Sequence, residues 1–438
     1  MAESVSGAEA AEGARDAAAH QSADPTPVPD APHDPIAALR SRDFRLYLVG
    51  NFVVTVGHQM QTTAVGWELY ERTNNAFNLG LVGLVQMIPV ILLVLHAGHV
   101  ADRFDRKRVA MIALALFAMG SAGLAVVSAR RGPISLMYGC LFAFGVARAF
   151  YGAARGSLLP QLVPREHFAN AVTWSSAAWQ LAAVAGPALG GTLIAVLGRA
   201  APVFVIDALA CLAFLVMLGF VRGKQAVRTT GRATLESLFA GIRFLTRTDV
   251  LLAAITLDMV AVLLGGATAL MPVFARDILH VGPSGLGWLN AAPSAGAVLM
   301  AVTLATRPPL RRAGHALLVS VVGFGLATIV FGLSRSFPLS LAALFVLGAL
   351  DNVSVVIRSA LLQLLTPDEL RGRVASVNAL FIGTSNELGG FESGAVAAVI
   401  GPVASVVVGG VGTVVTVVAI GARWPALRRL GRVHEAVA

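Results

Sequence analysis

Long apolar stretches alternate with short polar or charged loops along most of the chain. Six precede a basic loop at residues 222–249 and six follow it. In order they cover about 44–70, 79–97, 109–128, 134–155, 170–197, 201–221, 250–274, 285–306, 315–334, 338–358, 374–400 and 402–422. A helix needs about 20 apolar residues to cross the hydrocarbon core of a bilayer. The pattern therefore predicts an all-α membrane protein with twelve transmembrane helices, numbered below as spans one to twelve.

The composition agrees with a membrane protein. Hydrophobic residues make up 56% of the chain and charged residues 13%, and the mean hydropathy is +0.75. An ordinary soluble domain has roughly twice that charged fraction, about 25%. The net charge of +9 could indicate nucleic-acid binding, but the basic residues are confined to short loops between spans. We expect the lipid bilayer as a partner and no nucleic acid.

The segments outside the spans differ in character. Residues 1–38 are rich in Ala, Pro, Asp and Glu and lack apolar periodicity, which predicts a disordered tail. Within the loop 222–249, apolar residues recur at helical spacing from Leu235 to Leu245, which predicts an amphipathic helix on the membrane face. These segments and a tail at 426–438 delimit two six-helix bundles, at 39–221 and 250–425.

The Lys and Arg residues set the orientation. If the N-terminus is cytosolic, about 25 of them fall in or beside cytosolic loops and about 6 fall outside. The positive-inside rule thus predicts that both termini and the central linker are cytosolic. We expect a multi-pass protein of the inner (plasma) membrane.

The two halves of the sequence repeat each other at an offset of about 203 residues. We expect two parallel, pseudo-symmetric copies. The matched pairs are Arg155 with Arg358, Pro164 with Pro367, Glu166 with Glu369, Gly186 with Gly389, and Gly191 with Gly394.

The turn between spans two and three carries a glycine, an aspartate and several bases in a fixed order. It resembles the signature of the major facilitator superfamily, Gly-x-x-x-Asp-Arg-x-Gly-Arg-Arg/Lys, although Asp105 replaces the second glycine. The resemblance implies the major facilitator fold and a cytosolic latch that holds the halves together in the outward-facing state. A plain positive-inside anchor remains the alternative. The matching residues are Gly98, Asp102, Arg103, Arg106 and Lys107.

A second resemblance lies in span five, where Gly186, Pro187, Gly190 and Gly191 are similar to the core of the drug/proton antiporter motif. This resemblance implies an exporter. The alternative is an ordinary Gly-Pro kink in a membrane helix, which says nothing about the direction of transport. The stretch 367–374 and its partner 158–164 resemble the enterobactin-exporter-like branch, called transmembrane secretion effectors. That branch implies export of a small amphipathic or siderophore-like molecule.

Charged side chains inside a bilayer are costly, so each is a functional candidate. By the repeat, Arg148 in span four and Asp351 in span ten are equivalent, which predicts an ion pair across the cavity for coupling or, alternatively, for structure. Asp258 in span seven is a further candidate for proton coupling. In span one, His58 and Gln61 are candidates for proton relay or substrate contact, with hydrogen-bonded packing as the alternative for His58.

The remaining polar residues in the spans carry less information. Asp207 and Glu68 are interpreted as structural residues close to the membrane interface. Glu387 and Glu392 in span eleven are five residues apart, so they do not share a helix face closely, and neither receives a role.

Other chemistries are not indicated. There is no Gly-x-x-x-x-Gly-Lys-Ser/Thr run, no nucleophile elbow and no histidine spacing typical of a metal site. Cys140 and Cys211 lie inside spans and are interpreted as buried free thiols. We expect no enzymatic activity, no cofactor and no metal.

Together these features predict a monomeric secondary transporter that exports a small organic molecule by alternating access, in exchange for protons. Two alternatives stay open. One is a proton-coupled importer of the same fold, and the other is a membrane sensor or assembly partner that does not transport.

Overall fold

A computed structural model describes residues 34–222, 235–308 and 311–431 of the chain. The predicted N-terminal tail lies almost wholly outside these ranges. Residues from Ala38 onward form one compact unit, separate from the N-terminal stretch that ends at Ala37. The described residues are almost entirely helical.

Six long helices, called below the N-terminal helices, precede the central linker. They are α1 (Arg42–Thr73), α2 (Ala76–Arg103), α3 (Arg106–Ala129), α4 (Ile134–Leu162), α5 (Phe168–Leu197) and α6 (Ala201–Phe220). Six more, called the C-terminal helices, follow a linker helix α7 (Leu235–Arg247). They are α8 (Asp249–Leu264), α9 (Gly282–Thr306), α10 (Ala313–Leu333), α11 (Phe337–Leu365), α12 (Arg371–Ile400) and α13 (Pro402–Arg423), and a short α14 (Pro425–Arg429) is the last described helix.

Ten described segments are long and apolar enough to cross a membrane. Nine of the long helices belong to them, and the tenth is Asp249–Ile278, in which α8 continues through short helical pieces. Two of the twelve predicted spans, α1 and α12, are not among these ten. They are long helices of 32 and 30 residues, but they carry more polar and charged side chains than the others.

In the turn between α2 and α3, Asp105 stands where the signature has its second glycine, and the structure shows why this change matters little. Asp105 has an ordinary negative φ of −59° and caps α3, and its carboxylate accepts a hydrogen bond from the backbone N–H of Lys107 at 2.8 Å. Aspartate is among the best N-cap residues because it satisfies an otherwise unpaired N–H. Asp105 therefore stabilises the turn by capping α3.

The helices pack in the same way on both sides of the linker. Among the N-terminal helices, α1 packs on α5 and α6, and α3 packs on α4 and α6. Among the C-terminal helices, α8 packs on α12 and α13, and α10 packs on α11 and α13. Two extensive contacts join the groups, α5 with α9 and α2 with α12.

The linker and the C-terminal end also pack on this framework. The linker helix α7 lies against α12 and α8. The segment predicted as a C-terminal tail contains α14, which packs on α10 and buries Leu427 completely. Residues 223–234 and 432–438 lie outside the described ranges.

The buried apolar residues form two separate clusters. The larger one joins the N-terminal helices to the segment 267–292, with members such as Leu69, Phe204, Phe274 and Leu286. The smaller one contains Leu251, residues near the C-terminal ends of α11 and α13 and residues near the start of α12. The N-terminal and C-terminal helices thus share an apolar core toward one end of the molecule, the end that holds the α1–α2 turn and residues 267–289. This end is called the closed end below.

Candidate functional site

A cavity of about 390 Å³ lies among α1, α2, α3, α4 and α5. Its walls are mixed, with aromatic and aliphatic residues such as Phe117, Phe144 and Trp179 beside polar side chains. Ligand pockets of roughly 300–1,000 Å³ with a few polar groups in apolar walls are typical of small-molecule sites. The polar lining includes Asn51, His58, Gln59, Gln61, Arg148 and Arg155.

The sequence candidates His58 and Gln61 therefore both line this cavity. The side chain of His58 is 30% exposed, whereas Gln61 is buried. Nearby, Tyr151 donates a hydrogen bond to the side-chain oxygen of Asn51 at 3.0 Å. A helix with this many polar groups on its inner face is the reason that α1 falls short of the composition of an ordinary membrane span.

Arg148 forms an ion pair that joins the two groups of helices. Its Nη1 donates to Oε1 of Glu387 at 2.8 Å, from α4 to α12. The expected pairing of Arg148 with Asp351 is not the one in the structure, because α12 packs on α2 beside the cavity and carries Glu387 to its rim. Gly83 makes room for the pair, since a Cβ built there would lie 2.7 Å from Oε2 of Glu387.

Asp351 instead belongs to a second charged group within the C-terminal helices. Asp258 and Arg358 form a buried ion pair, with only 8% and 3% of each residue exposed. Asp351 and Asp258 line a small cavity of about 10 Å³ together with Ser320 and Ser354. Asp258 occupies the guanidinium of Arg358, and no ion pair of Asp351 is found among the described residues. The three side chains together therefore carry one net negative charge unless a proton or another cation is bound.

A third polar group lies behind the main cavity. Asp207 on α6 is completely buried and binds Nδ1 of His58 at 2.7 Å. The hydroxyl of Ser121 on α3 donates to the second oxygen of Asp207. The thiol of Cys211 lies one turn further along α6, and the ligand atoms of His58, Asp207 and Cys211 all lie within 4.8 Å of one another. These residues could hold a metal ion, which sequence spacing could not reveal because His58 and Asp207 are 149 residues apart.

The turn with the signature sequence is fixed to α6. The ammonium group of Lys107 donates to the carbonyl oxygens of Gly219 and Val221 at 2.9 and 2.6 Å. Such a contact suits the negative end of a helix dipole. Arg103 ends α2 and Arg106 begins α3, and the side chain of Asp102 lies outside the described part of the chain. The latch role of Gly98, Asp102, Arg103, Arg106 and Lys107 therefore stays a prediction.

The glycines of the second motif bring three helices close together. Gly186 lies against Gln59 of α1, and Gly190 lies against Met60 of the same helix. Gly191 faces α9, where a built Cβ would lie 2.8 Å from the Cα of Gly287. The repeat-related Gly394 of α12 makes the equivalent contact, 2.8 Å from the Cα of Gly80 of α2. These positions accept only glycine without a shift of the partner helix.

Polar contacts between the two groups also lie at the closed end. Arg276 donates to the side chain of Asn74 at 2.7 Å and lies over the ring of Tyr70, 5.6 Å from its centroid. The hydroxyl of Tyr70 donates to Asp277. Away from the closed end, a further cavity of about 320 Å³ shares Arg155 and Trp179 with the main cavity and lies toward the α4–α5 turn.

Comparison with known proteins identifies the family of this chain. The transmembrane secretion effector family matches residues 33–430, which is most of the chain. The chain belongs to this family of major facilitator transporters. The family carries solutes and is not one of enzymes. The transporter is 27% identical to the enterobactin exporter EntS of Citrobacter koseri over 376 residues, covering 85% of this chain and 89% of that protein. It is 26% identical to EntS of Shigella boydii with the same coverage.

Solved structures agree on the fold. A bacterial homologue of the human lysosomal transporter Spinster, in an inward-facing and occupied conformation, superposes with a TM-score of 0.68 at 14% identity, covering 91% of this chain and 98% of that one. A POT family transporter in complex with 5-aminolevulinic acid gives a TM-score of 0.71 at 12% identity, covering 89% and 97%. At such identities the likeness concerns the fold alone.

Proposed function

We propose that the protein exports a small organic molecule by proton-coupled antiport. The observation that carries this proposal is the ion pair between Arg148 and Glu387, which joins the two groups of helices at the edge of the cavity. A charged substrate or a proton that reaches this pair competes for one of its partners. The contact between the groups would then weaken only when the site is occupied, as alternating access requires.

The proposed topology has twelve spans with both termini cytosolic, arranged as two six-helix bundles in the inner membrane. The polar helices α1 and α12 are the two spans that this topology adds to the ten apolar segments. Their charged side chains are tolerated because they face the cavity or partner helices. The positive-inside distribution supports this orientation. With it, the closed end is extracellular, and the described conformation faces the cytosol.

The coupling residues we propose are Arg148, Glu387, Asp258 and Asp351. Asp351 lies beside the Asp258–Arg358 ion pair, so binding of one proton would neutralise the group and its loss would restore a buried charge. The resulting change in electrostatic energy can bias the C-terminal helices between two arrangements. His58 and Gln61 are proposed to contact the substrate, because both line the main cavity.

The substrate we propose is amphipathic, either siderophore-like or drug-like. The cavity combines aromatic walls with amide, imidazole and guanidinium groups, and the curated relatives are named as exporters of enterobactin. The fold can work as a monomer, which is the assembly we propose.

Transport into inverted membrane vesicles tests the function. Energised vesicles that contain the protein should accumulate enterobactin or ethidium in their lumen, and dissipating the proton gradient should stop this accumulation. An importer would instead release a preloaded probe from the same vesicles. If the probes bind to the purified protein but neither moves in any vesicle, the protein is not a transporter for this class.

The ion pair is tested in the same vesicles. Glu387→Gln should reduce transport strongly, and Arg148→Glu combined with Glu387→Arg should restore part of it, because the swapped charges can pair again. Arg148→Lys serves as the matched control that keeps the charge. Equal activity of all variants would contradict the assignment.

A substitution of Asp102 tests the proposed latch. Asp102→Asn should insert into the membrane at the normal level and impair transport, because an anchor needs only the basic residues. Normal transport by Asp102→Asn would reduce the turn to a topological anchor.

A further inference from the structure

The group formed by His58, Asp207 and Cys211 has the ligand types and the arrangement of a metal site. Asp207 and Cys211 are four residues apart on α6 and so project from the same face of the helix. His58 approaches from α1, and all three ligand atoms lie within 4.8 Å of one another. In a tetrahedral site with metal–ligand bonds of about 2.0–2.3 Å, ligand atoms lie roughly 3.3–3.8 Å apart. Small movements of side chains would bring these three to that spacing.

The second oxygen of Asp207 is already engaged. Ser121 donates its hydroxyl to Oδ2, whereas Oδ1 is the oxygen directed at Nδ1 of His58. Metal-bound carboxylates are commonly held by such an outer hydrogen bond, which fixes the orientation of the ligating oxygen. The arrangement leaves Oδ1 of Asp207, Nδ1 of His58 and the sulfur of Cys211 as the converging set.

Charge balance favours a divalent ion. Both Asp207 and Cys211 are 0% exposed, within helices that cross the membrane. An uncompensated carboxylate there is costly. A divalent metal bound to one carboxylate, one thiolate and a neutral imidazole gives a group with no net charge. The thiol proton of Cys211 leaves to water in the cavity when the metal–sulfur bond forms. The proton between Nδ1 of His58 and Oδ1 of Asp207 moves to Nε2 of His58, so that the neutral imidazole can bind the metal through Nδ1.

An ion can reach the group from the main cavity. His58 lines that cavity and its side chain is 30% exposed. Its ring packs against both Phe117 and Phe144, with centroid distances of 4.7 and 5.6 Å. Cavity water would supply the fourth ligand. Nitrogen, oxygen and thiolate ligands in a tetrahedral set are typical of Zn²⁺ sites.

We propose that His58, Asp207 and Cys211 form a binding site for a Zn²⁺-like divalent ion in the wall of the cavity, tying α1 to α6. The site shares His58 with the proposed substrate contacts, so its test measures metal binding in the absence of transport.

The test uses Co²⁺ as a spectroscopic substitute for Zn²⁺ on the full-length protein in detergent. The chain has two cysteines, so the variant Cys140→Ser leaves Cys211 as the only thiol. Cys140→Ser should bind one Co²⁺ per chain with a thiolate-to-metal charge-transfer band, and added Zn²⁺ should remove the band. His58→Gln in the same background should weaken binding by about tenfold or more, since even outer-shell changes cost about 10–100-fold.

Cys211→Ser should lose the band while Cys140→Ser keeps it. Absence of the band in properly folded Cys140→Ser, judged by its elution as a single species in gel filtration, would overturn the proposal. Persistence of an equal band in Cys211→Ser would overturn it as well. Because the decisive result comes from Cys140→Ser, the test does not depend on the folding of Cys211→Ser.

Discussion

Adding one methyl group at Gly191 should shift the protein away from the conformation described above. A Cβ at this position would lie 2.8 Å from the Cα of Gly287 and would also meet the carbonyl oxygen of Pro283. Carbon atoms in favourable contact are about 3.5–4.0 Å apart, so α5 and α9 would have to separate by roughly 0.7–1.2 Å. Because the contact joins the two groups of helices, the strain falls on the conformation in which they are closed at this end.

The size of the shift follows from the cost of overpacking. Inserting a methyl group into a tight contact typically costs about 1–3 kcal/mol. A difference of that size changes a two-state equilibrium by about 5- to 150-fold. Gly191→Ala should therefore reduce the population of the closed conformation, so that it is mixed with the open conformation or becomes the minor one.

Distances between spin labels measure this population. In a protein without native cysteines, Arg130→Cys and Arg335→Cys place labels on exposed turns at the closed end, one in each group of helices. Gly191→Ala should add a longer distance to the distribution, and Gly394→Ala should act in the same direction through the equivalent contact with Gly80. Gly139→Ala is the matched control, since a Cβ built there meets nothing within 4 Å. An unchanged distribution in Gly191→Ala, or the same change in Gly139→Ala, would refute the reasoning.

Three further substitutions test other parts of the structure. Arg358→Met should lower the stability of the detergent-solubilised protein by about 3–5 kcal/mol, because it leaves the buried carboxylate of Asp258 unpaired; addition of Asp258→Asn should recover most of the lost thermal stability, and no recovery would contradict the pairing. Asp105→Ala should lower stability by about 1 kcal/mol through loss of the helix cap, whereas Asp105→Gly should lower it by only a few tenths; equal melting temperatures for both variants would argue against the cap. Gly83→Ala should displace the Glu387 carboxylate and reduce transport in energised vesicles without lowering the amount of protein inserted, and full activity would show that the ion pair tolerates the displacement.

The fold was largely predictable because the bilayer imposes a simple rule on sequence. Apolar runs of fixed length, the basic linker and the repeat at an offset of about 203 residues are all visible without a structure. The family signature added the fold, and the family comparison bears this out. The two helices that depart from an apolar composition, α1 and α12, both bring polar groups to the cavity or its rim.

Partners of the charged side chains were not predictable in the same way. Repeat symmetry suggested that Arg148 faces Asp351, but Glu387 has no charged counterpart, since Val184 occupies the position 203 residues earlier. An ion pair between α4 and α12 depends on how the helices rotate and pack, which periodicity does not encode. The same reason explains why Asp207, interpreted from sequence as an interfacial residue, proves to be completely buried beside His58.

The continuous apolar core at the closed end has a consequence for the timing of transport. Leu69, Phe204, Phe274 and Leu286 belong to one buried cluster, whereas the core around Leu251 is independent. Parting the groups at the closed end must expose apolar surface, while parting them at the other end need not. With the termini in the cytosol as proposed, an empty carrier would therefore dwell with its cavity open to the cytoplasm. An exporter in that waiting state can load its cargo without a preceding rearrangement, and the slow step of its cycle is the exposure of this core toward the outside.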